Sequence, residues 1–326
     1  MVVKLTDVAK RAGVSPTTVS RVINNYGSLS QKTIQKVQQA MQELNYQPNS
    51  LARSLQGKKT QLIGLVFPTV ANPFFGELVE CLETKLFTRG YKTILCDCAH
   101  NSEKERSYLN MLNANKVDGI IAGAHNLGIE EYKELDLPVV SFDRYLADGI
   151  PIVGSDNFYG GYLATQTLYQ QGAKNIAIVT GSLSSNSPTN ERLLGYQALI
   201  KEHNLTEHVY RFAEFESSPA LKQRKLRSIL QERDFDALFC TDDLTAILVA
   251  NLCQELEIKI PDELQLIGYD GTKMIQTYFP TLMTIAQPIE EMADLLIELL
   301  LYRILTPEKP LDPLYVLPGK LIHRQY

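Results

Sequence analysis

Pro16, Thr17 and Arg21 sit on one short segment of this 326-residue chain, and their chemistry is that of reading base edges. An arginine can donate two hydrogen bonds to a guanine, a threonine can meet either base type, and an apolar ring can touch the thymine methyl. Thr6, Ser15, Thr18, Asn24 and Tyr46 are the kinds of side chain that hold a protein on phosphates. Val19, Val22 and Ile23 recur at helical spacing on the other side of the segment. Ser15 suits an N-cap, Pro16 a first helical position, and Gly13 a tight turn that needs positive φ. Leu5 to Asn24 therefore reads as a helix-turn-helix whose second helix offers Thr17, Thr18, Ser20, Arg21 and Asn24 outward. An ordinary helical hairpin fits the same apolar pattern, so the rest of the chain has to decide.

A second set of residues has different chemistry. Ligands of open parallel sheets bind at the carboxyl ends of strands. Just after the apolar runs stand Phe74, Phe75, His100, Asp143, the loop Ser182–Asn190 with Ser185, then Arg192, Phe215, Thr241, Asp243 and Asp270. Carboxylates and an arginine pair with vicinal hydroxyls, and an aromatic face covers the apolar side of a sugar ring. Individual members fit plainer roles equally well. Asp156 and Asp242 read as helix caps, Phe74 and Phe75 as core, and the serine-rich loop as a solvated connection.

The elements that must position these residues divide the chain in three. Residues 1–47 form the all-α headpiece, with a third helix signalled by Ser30 as N-cap and by Ile34, Val37, Met41 and Leu44 at helical spacing. Residues 48–59 form a hinge and linker, a short potential helix closed by Gly57. Residues 60–326 alternate strand and helix. Apolar runs at Leu62–Phe67, Thr93–Cys96, Gly119–Ala122, Val139–Phe142, Ile176–Val179, Ala237–Cys240 and Leu266–Tyr269 alternate with amphipathic segments. That pattern implies parallel sheets buried on both faces, split into two α/β lobes. Pro288–Ile304 reads as a late helix and Leu314–Ile322 as one closing strand, so the chain is expected to cross between lobes more than once.

Charge supports the division. Residues 1–60 carry nine Lys and Arg against Asp7 and Glu43, a net +7, whereas the remainder carries 23 against 35, a net −12. A basic head is drawn to phosphates and an acidic body is repelled from them. No apolar run is long enough to span a bilayer, and no charged segment followed by an apolar stretch opens the chain, so a soluble cytoplasmic protein is expected. The five cysteines lie in apolar segments without metal spacing, which gives buried thiols and no metal site. No nucleotide-binding loop, nucleophile elbow or zinc-protease motif occurs, and the five histidines are scattered, so no cofactor and no enzyme activity are expected. A sugar-metabolising enzyme of doubly wound fold would leave the headpiece without a role.

The run from TDVAKRAGVSPTTVSRVIN through LNYQPNSLARSL closely resembles the headpiece and hinge of the LacI/GalR family of bacterial repressors. The resemblance implies a periplasmic-binding-protein-like core with an effector cleft between lobes, and a homodimer on double-stranded, pseudopalindromic operator DNA. It implies hinge helices in the minor groove, with Leu55 wedging a central base step and Asn49 and Ala52 beside it. Arg192 in RLLGYQAL, Asp270 in IGYDG and Asp143 in VVSFDR match effector positions of the family, and Phe74, Phe215, Thr241 and Asp243 fall on others. Within the family, CDCAHNSEKE and GSDNFYGG are most similar to sucrose-operon repressors. That implies a small sugar or sugar-phosphate effector. The other branch weighed is a global carbon catabolite regulator with a phosphoprotein corepressor. No apolar heptad tail follows the core, so a dimer is expected rather than a tetramer.

Overall fold

The computed structural model describes residues 3–23, 26–46, 59–99, 101–124, 126, 128–181, 188–212 and 218–323. The chain forms two compact units, Met1–Thr60 and Gln61–Tyr326.

In the first unit, α1 (Leu5–Ala12), α2 (Pro16–Ile23) and α3 (Gln31–Glu43) enclose a small core of Val8, Ala9, Val19, Val22, Val37 and Ala40. Gly13 ends α1 at φ 66°, and its N–H together with that of Val14 satisfies carbonyls of the last turn. The Ser15 hydroxyl accepts from Thr18 N at 3.1 Å, and Ser30 accepts from Thr33 N at 3.2 Å, so both expected caps are in place. Arg11 Nε donates to Glu43 at 2.6 Å and ties the first helix to the third.

The second unit holds two six-stranded sheets. Its strands are β1 (Leu62–Phe67), β2 (Lys92–Asp97), β3 (Gly119–Ala122), β4 (Val139–Phe142), β5 (Ile152–Ser155), β6 (Ile176–Thr180), β7 (His208–Arg211), β8 (Ala237–Cys240), β9 (Gln265–Asp270), β10 (Met283–Ala286), β11 (Leu314–Leu317) and β12 (Lys320–Ile322). One sheet has the order β11-β5-β4-β3-β1-β2 and is parallel throughout; the other has the order β12-β10-β9-β8-β6-β7, with only β12 antiparallel.

Helices cover both faces of each sheet. In the first lobe these are α4 (Pro73–Thr88), α5 (Ser102–Ala114), α6 (Glu131–Glu134) and the late helix α12 (Ile289–Leu305). In the second lobe they are α7 (Asn157–Gln170), α8 (Pro188–Glu202), α9 (Pro219–Gln231), α10 (Asp243–Glu255) and α11 (Lys273–Tyr278). The expected closing strand over Leu314–Ile322 is two strands. Leu314–Leu317 pairs with β5 in the first sheet, and Lys320–Ile322 pairs with β10 in the second, with Pro318 and Gly319 between them. Among the described residues the chain thus passes between lobes at Ser155–Asn157, Gln287–Ile289 and Leu317–Lys320.

The crossing of α7 and α8 depends on glycine. A Cβ on Gly161 would lie 2.0 Å from the carbonyl oxygen of Arg192, and one on Gly195 would lie 2.1 Å from that of Phe158. Backbone cannot give way as a flexible side chain can. Gly161→Ala is expected to destabilise the core by at least about 2 kcal/mol through overpacking. Urea unfolding would check this, and an unchanged midpoint would mean that the helices slide freely.

Candidate functional site

Arg192 begins the site because it is a charged side chain only 6% exposed, close to the start of α8. Its Nε donates to Asn157 Oδ1 at 2.8 Å and its Nη1 donates to the carbonyl oxygen of Thr241 at 2.6 Å. The same Nη1 lies 3.6 Å from Asp270 Oδ1, and the guanidinium stacks 3.7 Å from the centroid of the Tyr269 ring. A buried guanidinium needs this many partners, since desolvating it costs several kcal/mol. Asn157 turns the network toward the first lobe, donating its Nδ2 to Asp143 Oδ1 at 3.3 Å. Gln287 Nε2 donates to Asp270 Oδ1 at 2.8 Å, while Gln287 Oε1 is buried with no hydrogen-bond partner among the described residues.

Asp143 and Asp270 stand at the ends of β4 and β9 with φ of 62° and 114°. Strained backbone persists only where surrounding structure fixes it, and it concentrates at working sites. Burial pushes the Asp143 carboxyl up to about 7, against the opposing pull of Arg192, Arg144 and Asn157. Burial likewise raises Asp270, with Arg192 opposing. The pair has a definite sign. Unfolded, these carboxyls release protons near 3.8; folded, Asp143 holds its proton to about 7. Between those values the folded state binds more protons, so rising pH favours unfolding. Thermal stability is expected to fall on this account from about pH 4 to about pH 7, and Asp143→Asn should flatten the slope. Calorimetry across that window tests it; parallel slopes for the two proteins would show that Asp143 holds no such proton.

The remaining expected residues separate. Phe74 is buried in the first lobe's core against Phe142, with ring centroids 5.8 Å apart. Phe75 is half-buried and meets Phe74 edge-on at 5.4 Å. Thr241 is buried and contributes its carbonyl, not its hydroxyl, to Arg192. Asp243 is 2% exposed, and its two oxygens accept from Gly271 N and Thr284 Oγ1, each at 2.7 Å. It fixes the turn behind Asp270 from inside the lobe. Asp156 and Asp242 are helix caps, accepting from Tyr159 N at 2.8 Å and Thr245 N at 2.7 Å. His100, Ser185 and Phe215 lie outside the described residues, as do Asn24, Asn49, Ala52 and Leu55.

Sequence reasoning missed Asn157, Tyr269 and Gln287. Asn157 follows the cap Asp156 and looks like the first turn of a helix. Tyr269 reads as the last apolar residue of its strand. Gln287 follows β10, a four-residue strand too short to register as an apolar run.

In the headpiece, Thr6, Ser15, Pro16, Thr17 and Arg21 are exposed, Thr18 is half-buried beside Ser15, and Tyr46 is half-buried against the core. Pro16, Thr17 and Arg21 thus form an outward face on α2, with no apolar side chain of the headpiece core competing for them.

A family model described as bacterial regulatory proteins, lacI family, matches residues 4–49, and a periplasmic binding protein-like domain matches residues 165–325. The sucrose operon repressor of Pediococcus pentosaceus is 55% identical over 319 residues, covering 98% of each chain. That of Streptococcus mutans is 49% identical over 322 residues, covering 99% of this chain and 98% of its own. Among solved structures, the lac repressor dimer bound to operator and the anti-inducer ONPF superposes with a TM-score of 0.86 at 26% identity, over 99% of this chain and 98% of that one.

Proposed function

The chain belongs to the lacI family of bacterial regulatory proteins, and from that premise we propose that it represses a sucrose-utilisation operon under control of a small sugar or sugar phosphate held between its two core lobes. The observation that carries the reading is one chain joining an exposed Pro16–Thr17–Arg21 face to a buried Arg192 set between Asp143 and Asp270. The first can read base edges; the second can pair with vicinal hydroxyls. In this reading the protein works in the cytoplasm as a homodimer, placing two α2 helices in successive major-groove half-sites. Pro16, Thr17 and Arg21 read bases, while Thr6, Ser15, Thr18, Asn24 and Tyr46 hold the backbone. Asn49, Ala52 and Leu55 belong to a hinge helix that forms on operator. Asp143, Arg192 and Asp270 bind the effector, with Phe75 covering one side. His100, Ser185 and Phe215 complete the lining.

No helix of the described residues is long and apolar enough to cross a membrane. The chemistry assigned here is binding, with no reacting group.

Full-length protein should retard DNA from upstream of the sugar operon in preference to unrelated DNA at about 0.15 M salt, where non-specific binding is weak. Sucrose, fructose or their phosphates should shift both that retardation and the melting temperature. Equal retardation of unrelated DNA would defeat the repressor reading. Insensitivity to every sugar, together with a response to a phosphorylated carrier protein, would favour the catabolite regulator.

A further inference from the structure

We propose that Glu105 is a positioning residue for the candidate effector site: through Arg144, a counter-charge it shares with Asp143, it fixes the turn that presents Asp143. The proposal rests on the reading of Asp143 as an effector ligand and adds to it a residue buried out of a ligand's reach.

Glu105 lies on α5 with no exposed surface. Its oxygens accept from Asn126 Nδ2 at 2.6 Å and from the Tyr132 hydroxyl at 2.8 Å. Both partners donate, so the group is bonded as an anion, and a buried anion needs a counter-charge. Arg144, 8% exposed, supplies it. The same guanidinium acts on Asp143, the residue before it. Burial works against the charge of Arg144, and the two carboxylates together sustain it. Two buried carboxylates thus share one arginine. Glu131 on α6 opposes Arg144 at Glu105, and Arg192, Asn157 and Asp270 act on Asp143 from the second lobe. Cys98 and Tyr132 also face Glu105, and burial together with its charge keeps both protonated.

The local backbone makes this sharing consequential. The Ser141 hydroxyl donates to the carbonyl oxygen of Arg144 and closes the turn in which Asp143 takes φ 62°. Gly154 packs against the carboxylate, since a Cβ there would stand 2.7 Å from Asp143 Oδ1. A left-handed aspartate persists only where its surroundings fix it. Glu105 is the anchor on the Arg144 side. It also draws in the loop after β3 through Asn126, and α6 through Tyr132. Without its charge the guanidinium turns wholly to Asp143, and the acceptor offered to a ligand changes in both place and charge.

The test is a cycle of full-length proteins: wild type, Glu105→Gln, Asp143→Asn and the double variant. Glutamine keeps the shape and one acceptor while removing the charge. Melting temperature is followed by calorimetry from about pH 4 to about pH 8. In the wild-type background Asp143→Asn should remove a slope that ends at about pH 7. In the Glu105→Gln background it should remove one that ends at about pH 6, because Arg144 then favours the ionised Asp143 more strongly. Identical effects of Asp143→Asn in the two backgrounds overturn the proposal, since a merely structural Glu105 would lower every melting temperature without moving that window. Should Glu105→Gln fail to fold, Tyr132→Phe removes one bond to Glu105 and no charge. It should speed amide exchange at residues 141–145 more than elsewhere in the first lobe; a uniform change overturns the proposal. Sucrose or fructose, titrated into Tyr132→Phe at about pH 8, should bind about fivefold more weakly than to wild type. Equal affinity breaks the link to the effector. Wild type that binds neither sugar removes the effector reading, while the pH cycle still decides whether Glu105 acts on Asp143.

Discussion

Arg192→Ala should leave a protein that still finds its operator but no longer answers to sugar. The guanidinium donates to Asn157 and to the Thr241 carbonyl, stacks on Tyr269 and faces Asp270, so its loss strips four neighbours at once. Breaking a buried ion pair from one side costs about 3–5 kcal/mol, because the other charge stays behind unpaired. Here the stranded groups have an escape. Asp143 already holds its proton to about 7, and without Arg192 both carboxyls would hold theirs still higher. The stability loss should therefore be larger at pH 8 than at pH 5, whereas an exposed acid–base pair, ionised at both values, would lose about the same at each. Effector affinity should fall by more than about 100-fold, since the hydroxyls lose their cationic donor. Arg192→Lys should recover only part of it, because an ammonium cannot reproduce the fork that reaches two acceptors. Should the alanine variant prove too unstable, Asp143→Asn asks the same question with shape preserved. Normal sugar titration by a folded Arg192→Ala protein would remove this residue from the site.

The second large effect belongs to the headpiece. Arg21 is exposed on α2, away from Val19 and Val22, so Arg21→Ala should fold normally. A bidentate arginine–guanine contact is worth about 1–3 kcal/mol of discrimination. Two copies on a symmetric operator double this to about 2–6 kcal/mol, on the order of 30-fold to 10⁴-fold in specific affinity. Binding to unrelated DNA should change little. Lys59→Gln should do the reverse, weakening all DNA about equally and lessening the salt dependence. Competition gel shifts at two salt concentrations separate these behaviours. An unchanged ratio of specific to non-specific affinity in Arg21→Ala would show that α2 is not the reading helix.

What was legible in the chain followed from burial. Leu62–Phe67, Gly119–Ala122, Val139–Phe142 and Ala237–Cys240 stand where continuous apolar runs put them, since strands covered on both faces must be apolar throughout. His208–Arg211 carries no such signal because it is an edge strand, half-exposed along its length. Met283–Ala286 is only four residues long, and with it went Gln287. Leu314–Ile322 misled for a topological reason: sequence spacing cannot tell that two short strands join different sheets. For the candidate site, position after a strand and family resemblance singled out Asp143, Arg192 and Asp270, which the structure brings into one hydrogen-bonded set. The same rule also gathered Phe74, Thr241 and Asp243, which share that position but point inward. Only side-chain direction separates the two groups.

The three chain crossings have a mechanical meaning. Two bodies joined by a single strand can twist, slide and bend; joined by three, at Ser155–Asn157, Gln287–Ile289 and Leu317–Lys320, they lose most of that freedom. What remains is rotation about one axis, like a door on several pins. Such a joint turns any preference of a bound molecule for one angle into a single coordinate. A protease nick between Pro318 and Gly319 would remove one pin without parting the lobes. The nicked protein should stay whole on a sizing column and lose only the uniqueness of its swing.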